Sequence, residues 1–459
     1  MKRRIFRDTL RLCLQAVLAA GMTGCADESC PVCSGGQDAD GQESGVFLSV
    51  MIRTDDTPAS RSDNSPQPGE DGDGQQAGTE AENRIRTLTL FFFTDESGKG
   101  INAEADTPLT TVSFSPDEIV AGSGAYACSV SKEVEELAVG NSYSVLAVAN
   151  FSPSGATTLG TLRDLQVEAP TTTTEDGQLF LMSSAGPDAD RLAIAAGNSK
   201  TNPATVTIRM ERVAARVDYR VSYPDGMEAF EIPSQTPGAE SGAKDKVQIL
   251  GAALVNQYAG KSYLFKRVTQ GTELTNSDIV YLGNESASEG KASNYVLDPQ
   301  TLAGKAANDF TAYYPGLAGS GWTEDKLTFK EPSTETTSTG EGKQFGLLDY
   351  TAENVNTLTD AERLPECATG VVFKAKYIPY GNTEGRTCYY TYWIRHADDN
   401  DANKVSPMEY ATVRNNLYQL DVRSVSGPGT DKPEYEQHID IRVTVNRWVK
   451  ARNGQNIEW

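Results

Sequence analysis

Residues 46–52 read Val46-Phe47-Leu48-Ser49-Val50-Met51-Ile52, and this short stretch decides the fold. Val46, Leu48, Val50 and Ile52 fall on one face of an extended chain, with Phe47 and Met51 on the other. Such a pattern predicts a strand apolar on both faces, placed in a sheet interior or a sandwich. The residues that follow are of the opposite character. From Thr54 to Asn83 the chain is rich in Asp, Glu, Gly, Gln, Ser and Pro, a composition that buries too little apolar surface to order itself. A buried strand tied to its domain by a long polar linker is an unusual arrangement.

Beyond the linker, from Ile85, strand signals recur: Leu88–Phe93, Tyr143–Val148, Ala204–Ile208, Val213–Val217, Val247–Leu250, Gly370–Ala375, Tyr389–Ile394 and Leu417–Val422. Turn-rich spacers separate them, as in a β-sandwich. With 41 Gly and 21 Pro and little helical periodicity, the chain is expected to be mostly β. Short helices are expected only near 133–138 and 359–363. About 435 residues remain after residue 24, more than one ordinary domain. The change between two sandwich-like domains is expected around 212–230, and polar Pro224–Lys246 reads as a linker or long loop.

At the far end, Ile439, Ile441, Val443 and Val445 alternate with Asp440, Arg442, Thr444 and Asn446, a half-buried strand. Trp448 and Val449 follow, then polar Arg452-Asn453-Gly454-Gln455, then Ile457-Glu458-Trp459. Chain termini are usually polar and frayed. An Ile-Glu-Trp ending therefore asks for a docking site, in this chain or in another.

Working back from Val46, residues 26–45 are small and polar and read as a tether. Residues 1–11 carry Lys2, Arg3, Arg4, Arg7 and Arg11 against Asp8, and an apolar stretch runs from Leu12 to Met22. That is the length of a signal-peptide core and too short to span a bilayer. It ends in Met22-Thr23-Gly24-Cys25, which resembles the bacterial lipobox. Residues 1–24 are therefore expected to be a lipoprotein signal peptide and Cys25 the acylated residue, each buried CH₂ of the acyl chains contributing roughly 0.8 kcal/mol to anchoring. Asp27 and Glu28 resemble the acidic signal that directs some lipoproteins to the outer surface. No later segment offers a run of apolar residues long enough to span, so the lipid is the only membrane attachment implied.

Loss of residues 1–24 takes the net charge from −22 to −26. Such an acidic chain repels nucleic acid and carries no basic stripe. His396 and His438 have nearby acids, Asp398 and Asp440, but no second ligand at metal spacing. Asp71, Asp73 and Glu82 mimic positions of a calcium loop, yet Gln75 and Gln76 stand where an acid and a turn-making Gly are needed. Ser129-Val-Ser-Lys132 and Ser62-Asp-Asn64 lack the order and the Lys-Thr-Gly partner of penicillin-binding motifs. Cys30 and Cys33 form a CxxC in the polar leader without a βα context. Cys128, Cys367 and Cys388 read as buried thiols, a Cys367–Cys388 bridge being the other option. Neither an enzyme nor a cofactor is indicated.

Taken together, the lipobox, Tyr143-Ser-Val-Leu-Ala-Val-Ala-Asn150, Met210-Glu-Arg-Val-Ala-Ala-Arg-Val217, Val413-Arg-Asn-Asn-Leu-Tyr-Gln-Leu420 and Val443-Thr-Val-Asn-Arg-Trp-Val449 resemble one family, the fimbrillins, lipoprotein-derived subunits of type V pili. Arg447 stands where that family usually has Pro, and nothing in 225–360 matches. The resemblance implies two tandem β-sandwich domains, transthyretin-like or Greek-key, with a few short helices. An N-terminal domain over 85–222 would carry an acceptor groove, and a C-terminal domain over 223–459 the donor tail. An arginine-specific protease would remove residues 25–61, with Arg61 the first choice of cut and Arg53 the second, leaving 62–84 as an acidic flexible linker. Arg84 and Arg86 border the next strand and rank lower. Displaced Val46, Leu48, Val50 and Ile52 would be replaced by Val443, Val445, Trp448, Val449, Ile457 and Trp459 of another copy, main-chain hydrogen bonds supplying adhesion. The implied partners are other copies, accessory fimbrial subunits, and host or bacterial surface ligands. The place is the outer membrane and then the fimbrium. Beside the stalk subunit stand an anchor or tip subunit of the same fimbria, and a surface lipoprotein binding glycan or protein through Tyr389, Tyr390, Tyr392 and Trp393.

Overall fold

Burial alternates strictly along Val46–Arg53 (β1): Val46, Leu48, Val50 and Ile52 are buried, while Phe47, Ser49, Met51 and Arg53 are half-exposed. The second face is thus less covered than its apolar residues predict. The computed structural model describes residues 46–54, 75–122, 126–169, 178–185, 189–268, 296–297, 299, 322–336, 342–355, 368–394, 410–433 and 439–450, with backbone alone at 75–77, 268, 440 and 442–450. The described chain is mostly β, as the turn-punctuated pattern requires, in two sandwich-like halves.

After β1 come β2 (Gln75–Gly78), β3 (Leu88–Phe93), β4 (Thr110–Phe114), β5 (Ile119–Ala121), β6 (Tyr126–Val134), β7 (Ser142–Ala149), β8 (Gln166–Val167), β9 (Met182–Ser184), β10 (Asp190–Ala193) and β11 (Ala204–Arg212). One sheet takes the order β4-β3-β7-β9-β11-β1-β6-β5, with β10 beside β7. Leu90 and Val112 from one end share a core with Val50 and Val130 from the other, so the sheet curls over itself. The opposite face of β3 and β7 carries Phe91, Phe93, Leu146 and Val148, covered by Leu159 and Leu162 of helix α2 (Leu159–Arg163). Burial on both sides explains why Leu88–Phe93 is apolar at every position but Thr89.

The second half holds β12 (Ala215–Val221), β13 (Phe230–Pro233), β14 (Lys244–Val255), β15 (Ser262–Tyr263), β16 (Arg267–Val268), β17 (Val296–Leu297), β18 (Gly346–Thr351), β19 (Gly370–Ile378), β20 (Arg386–Trp393), β21 (Asn416–Val425) and β22 (Ile439–Lys450). Sheets of order β18-β12-β21-β22-β2 and β13-β14-β19-β20 share a core that includes Val217, Ile249, Phe373, Tyr390, Leu420 and Ile441. Among the described residues, strand β12, inside the segment 85–222, pairs only with strands of this half, β18 and β21.

Several expectations change. Tyr389, Tyr390, Tyr392 and Trp393 are at most 3% exposed and belong to the core, so these four rings offer no face to a sugar. No helix forms near 133–138. Glu133 and Val134 extend β6 opposite Phe47 and Val46, because β1 offers that edge. The segment 359–363 lies outside the described residues. Within Pro224–Lys246, β13 pairs with β14 instead of forming an open loop. Buried Asp245 pins its end, accepting from Ser234 Oγ at 2.6 Å, Gln235 N at 2.9 Å, Tyr377 Oη at 2.6 Å and Tyr380 N at 2.7 Å. Burial alone would raise its pKa, and these donors outweigh it, bringing the carboxyl down to about 2. The expected linker 62–84 is structured from Gln75 onward, as β2 and helix α1 (Glu80–Asn83).

Cys388 is a buried thiol whose pKa burial pushes up to about 11; Cys367 lies outside the described residues. Native protein treated with iodoacetamide at neutral pH should leave Cys388 unmodified, and denaturation should expose it to full labelling. Peptide mapping checks this, and labelling of Cys388 in the folded state would show its burial to be wrong.

Candidate strand groove and the junction behind it

β1 lies inside its sheet, laddered on both sides. It runs parallel to β11, with Leu48 opposite Ala204 and Arg53 opposite Arg209, and antiparallel to β6, with Val46 opposite Val134 and Val50 opposite Val130. Leu48, Val50 and Ile52 are 0% exposed. At about 1.5–3 kcal/mol per buried side chain, Val46, Leu48, Val50 and Ile52 contribute about 6–12 kcal/mol. Taking β1 away would leave two unpaired edges over a floor shared with Val130, Val134, Val206 and Ile208, an apolar slot one strand wide.

Arg53 is the last residue of β1, opposite Arg209 and Tyr126, its guanidinium carbon 5.8 Å from the Tyr126 ring centroid. Its backbone is engaged in the ladder, a poor substrate for a protease that needs a free extended segment. Cys25 and Arg61 lie outside the described residues.

The proposed donor residues separate into groups. Val443 and Val445 sit in β22 opposite Leu420 and Tyr418, in their own sheet. The alternation that marked this strand is explained by its own core, where Ile439 and Ile441 are buried. Trp448 and Val449 lie farther on, opposite Gln76 and Ala77 of β2. Ile457 and Trp459 lie outside the described residues.

Behind the groove, where the two halves meet, the motifs Met210–Val217 and Val413–Leu420 supply buried charge. Arg212 donates to Glu82 O at 3.0 Å, to Asn415 Oδ1 at 2.9 Å and to Asn83 Oδ1. Burial lowers its pKa to about 10, against the pull of Glu82, so the guanidinium stays protonated at neutral pH. Arg216 reaches the Glu82 carboxylate at 3.2 Å and forks onto Asp218 at 2.8 and 2.9 Å; Tyr350 also donates to Glu82. Arg414 forks onto Glu353 at 2.9 Å through two nitrogens and donates to the carbonyls of Tyr263 and Leu264. Glu82 therefore anchors α1, and its calcium-loop resemblance is explained by an ion pair. Its helix is begun by a capping box with Thr79, a Thr-x-x-Glu signal legible in the sequence. Asn150, at the end of its motif, and Asn415, just before β21, have φ of 59° and 57°, a left-handed conformation that Asn tolerates. Asn150 ties the entry to β3, accepting from Arg86 N at 2.9 Å and donating to Arg84 O at 2.9 Å. No cluster of metal-binding side chains occurs among the described residues.

Residues 383–454 match the family model described as major fimbrial subunit protein type IV, fimbrillin, C-terminal. The chain carries a fimbrillin C-terminal region. That region takes in β20, β21 and β22, and with them the motifs at 413–420 and 443–449. The resemblance to fimbrillins read from those motifs is therefore shown. Arg447, standing at the family's usual Pro, is paired with Asn416 on one side and Gln75 on the other, a place where an N–H is useful and proline has none.

Among solved structures, the chain is similar to a protein of Parabacteroides distasonis described as a cell adhesion protein, at 15% identity over 88% of this chain and 99% of that one, TM-score 0.45. It is also similar to the tip fimbrial protein Mfa3 of Porphyromonas gingivalis, at 11% identity over 88% and 99%, TM-score 0.39. The fimbrial anchor protein Mfa2 of the same organism gives 10% identity over 89% and 99%, TM-score 0.25. No curated protein matches.

Proposed function

We propose that this chain is a structural subunit of a surface fimbria that polymerises by strand exchange. The observation that carries the reading is β1: an internal strand with buried side chains, followed by the long polar stretch that contains Arg61. A cut there converts an intramolecular strand, held at high effective concentration, into a separate peptide that another strand can replace. The match of 383–454 to the fimbrillin C-terminal model supports a pilus role. In this reading Cys25 carries the lipid that brings the precursor to the outer membrane, and an arginine-specific protease cuts after Arg61. The half ending at Arg212 becomes the acceptor. The tail beyond β22, with Ile457 and Trp459, is the donor to another copy or to an accessory subunit. Because the slot of one copy faces the tail of the next, the contact does not close on itself and generates a filament. Adhesion to a host or bacterial surface is the role such a filament serves.

Treatment of the intact surface protein with an arginine-specific protease should give a new N-terminus at Ser62 together with SDS-resistant ladders. Deletion of Asn453–Trp459 should abolish the ladders. A cleaved protein that stays monomeric rules out the stalk role. A chain that keeps β1 and its lipid on the cell would instead be the fimbrial anchor.

A further inference from the structure

The strand that closes the described chain changes partners part-way. From Ile439 to Arg447, β22 is laddered to β21; from Arg447 to Lys450 it is laddered, in parallel, to β2. Strand β21 starts at Asn416, opposite Arg447, so Trp448, Val449 and Lys450 run past its end and are accompanied by Gln76, Ala77 and Gly78. Arg447 is the handover, paired on both sides.

The residues that make β2 come from the acidic stretch, and helix α1 fixes them immediately afterwards. Glu82 and Asn83 are buried and held by Arg212, Arg216 and Tyr350, side chains drawn from β11, β12 and β18. Thr79 caps the helix, and Asn83 Nδ2 donates to the carbonyls of Gly78 at 3.0 Å and Thr79 at 2.6 Å. This short segment is therefore stitched to the junction of the two halves and extends from it along the last described residues of β22.

Occupancy of the slot and pairing with β2 exclude each other. A strand in the place of β1 is laddered to β11 and to β6 at once over Leu48–Arg53. A residue of β22 laddered to β2 has one edge already taken, and its backbone cannot present two free edges to a neighbour's slot. Either Trp448–Lys450 leave β2 on exchange, or the donated segment begins after them. The buried ionic anchor of α1 favours the second, since β2 stays aligned with β22 as long as Glu82 and Asn83 are held.

We propose that β2 is a splint: it keeps Trp448–Lys450 in their own subunit, so that the segment given to a neighbour begins at Ala451. This rests on the strand-exchange reading above. Trp448 and Val449 then serve as the fixed root of the tail, and Ile457 and Trp459 as its transferable part. The position of the cut acquires a second meaning, because β2 lies after Arg53 and Arg61 but before Arg84 and Arg86. Processing after Arg61 retains the splint, whereas processing after Arg84 or Arg86 discards it together with β1.

The test is a reversible lock across register partners, Ala77→Cys with Val449→Cys, in the full chain. Oxidation should form an intramolecular 77–449 disulfide, verified by peptide mapping. After arginine-specific cleavage, the locked protein should give SDS-resistant ladders within about twofold of the reduced variant, on gels run after reduction so that disulfide-linked species do not count. Ladders lost about tenfold or more in the oxidised form, and restored by reductant before assembly, would overturn the splint and make β2 a latch that must open. Failure of the disulfide to form in the folded protein would overturn the pairing itself. Absence of ladders in wild type, reduced and oxidised protein alike would sink the strand-exchange reading, and the splint with it. That pattern is distinct from a loss confined to the oxidised form.

Discussion

Replacing Val50 by aspartate should make the uncut protein assemble. Val50 is 0% exposed, laddered to Val206 and to Val130, and inside the apolar core. The substitution removes about 1.5–3 kcal/mol of burial and places a carboxylate where no partner awaits it, at a further cost of several kcal/mol. Against the about 6–12 kcal/mol that β1 contributes through its buried side chains, that is enough to empty the slot without proteolysis. The charge leaves with β1, so the slot itself stays apolar and open to another chain's tail. The Val50→Asp precursor should therefore give SDS-resistant ladders that disappear when Asn453–Trp459 are also deleted. Met51→Asp, on the half-exposed face of the same strand, should remain monomeric. An unfolded or SDS-labile aggregate from Val50→Asp, indifferent to the tail deletion, would mean that β1 is an ordinary core strand and not a replaceable one.

Truncating Arg414 to methionine should produce a large loss of stability that has nothing to do with assembly. Arg414 and Glu353 are both 0% exposed at their side chains, 2.9 Å apart. Burial works against the Arg414 charge, but the Glu353 carboxylate outweighs it and raises the pKa above the ordinary value, so the guanidinium stays protonated throughout the neutral range. Removing one partner strands the other in a low-dielectric interior, at about 3–5 kcal/mol. Denaturant unfolding of Arg414→Met should show that loss. Replacing Glu353 by leucine in the same chain should recover most of it, because the stranded charge is gone. Recovery should be incomplete, since the carbonyls of Tyr263 and Leu264 lose their donors in both variants. A single-variant loss below about 1 kcal/mol would show that water reaches this pair.

Arg414, Arg212 and Arg216 were visible as motif residues, but as letters without a role. A charged residue beside Val213-Ala214-Ala215 or before Asn415-Asn416 signals that something pairs with it, not what. Glu82 lies 134 residues from Arg216 and 268 from Tyr350, and no local pattern spans such distances. The tyrosine-rich run 389–393 was ambiguous for the opposite reason. Aromatics at strand spacing suit a core and a sugar platform equally well, and packing against Phe373, Phe329 and Trp322 placed them in the core.

The sequence by itself determined the strands. Period-two alternation and bifacial apolar runs are local properties, so β1, β3, β7, β11 and β22 were all legible before any contact was known. It also determined that β1 is set apart from the rest, because composition alone separates a strand from a stretch that cannot bury itself. Only the tertiary structure decided which strand lies beside which. It placed Val443 and Val445 in their own sheet, and it drew polar Gln75–Gly78 into a ladder that its composition does not call for. Pairing depends on edges supplied by distant parts of the chain, here β22 running past the end of β21. A short polar segment becomes a strand when a neighbour offers it hydrogen bonds and a buried ion pair holds it there.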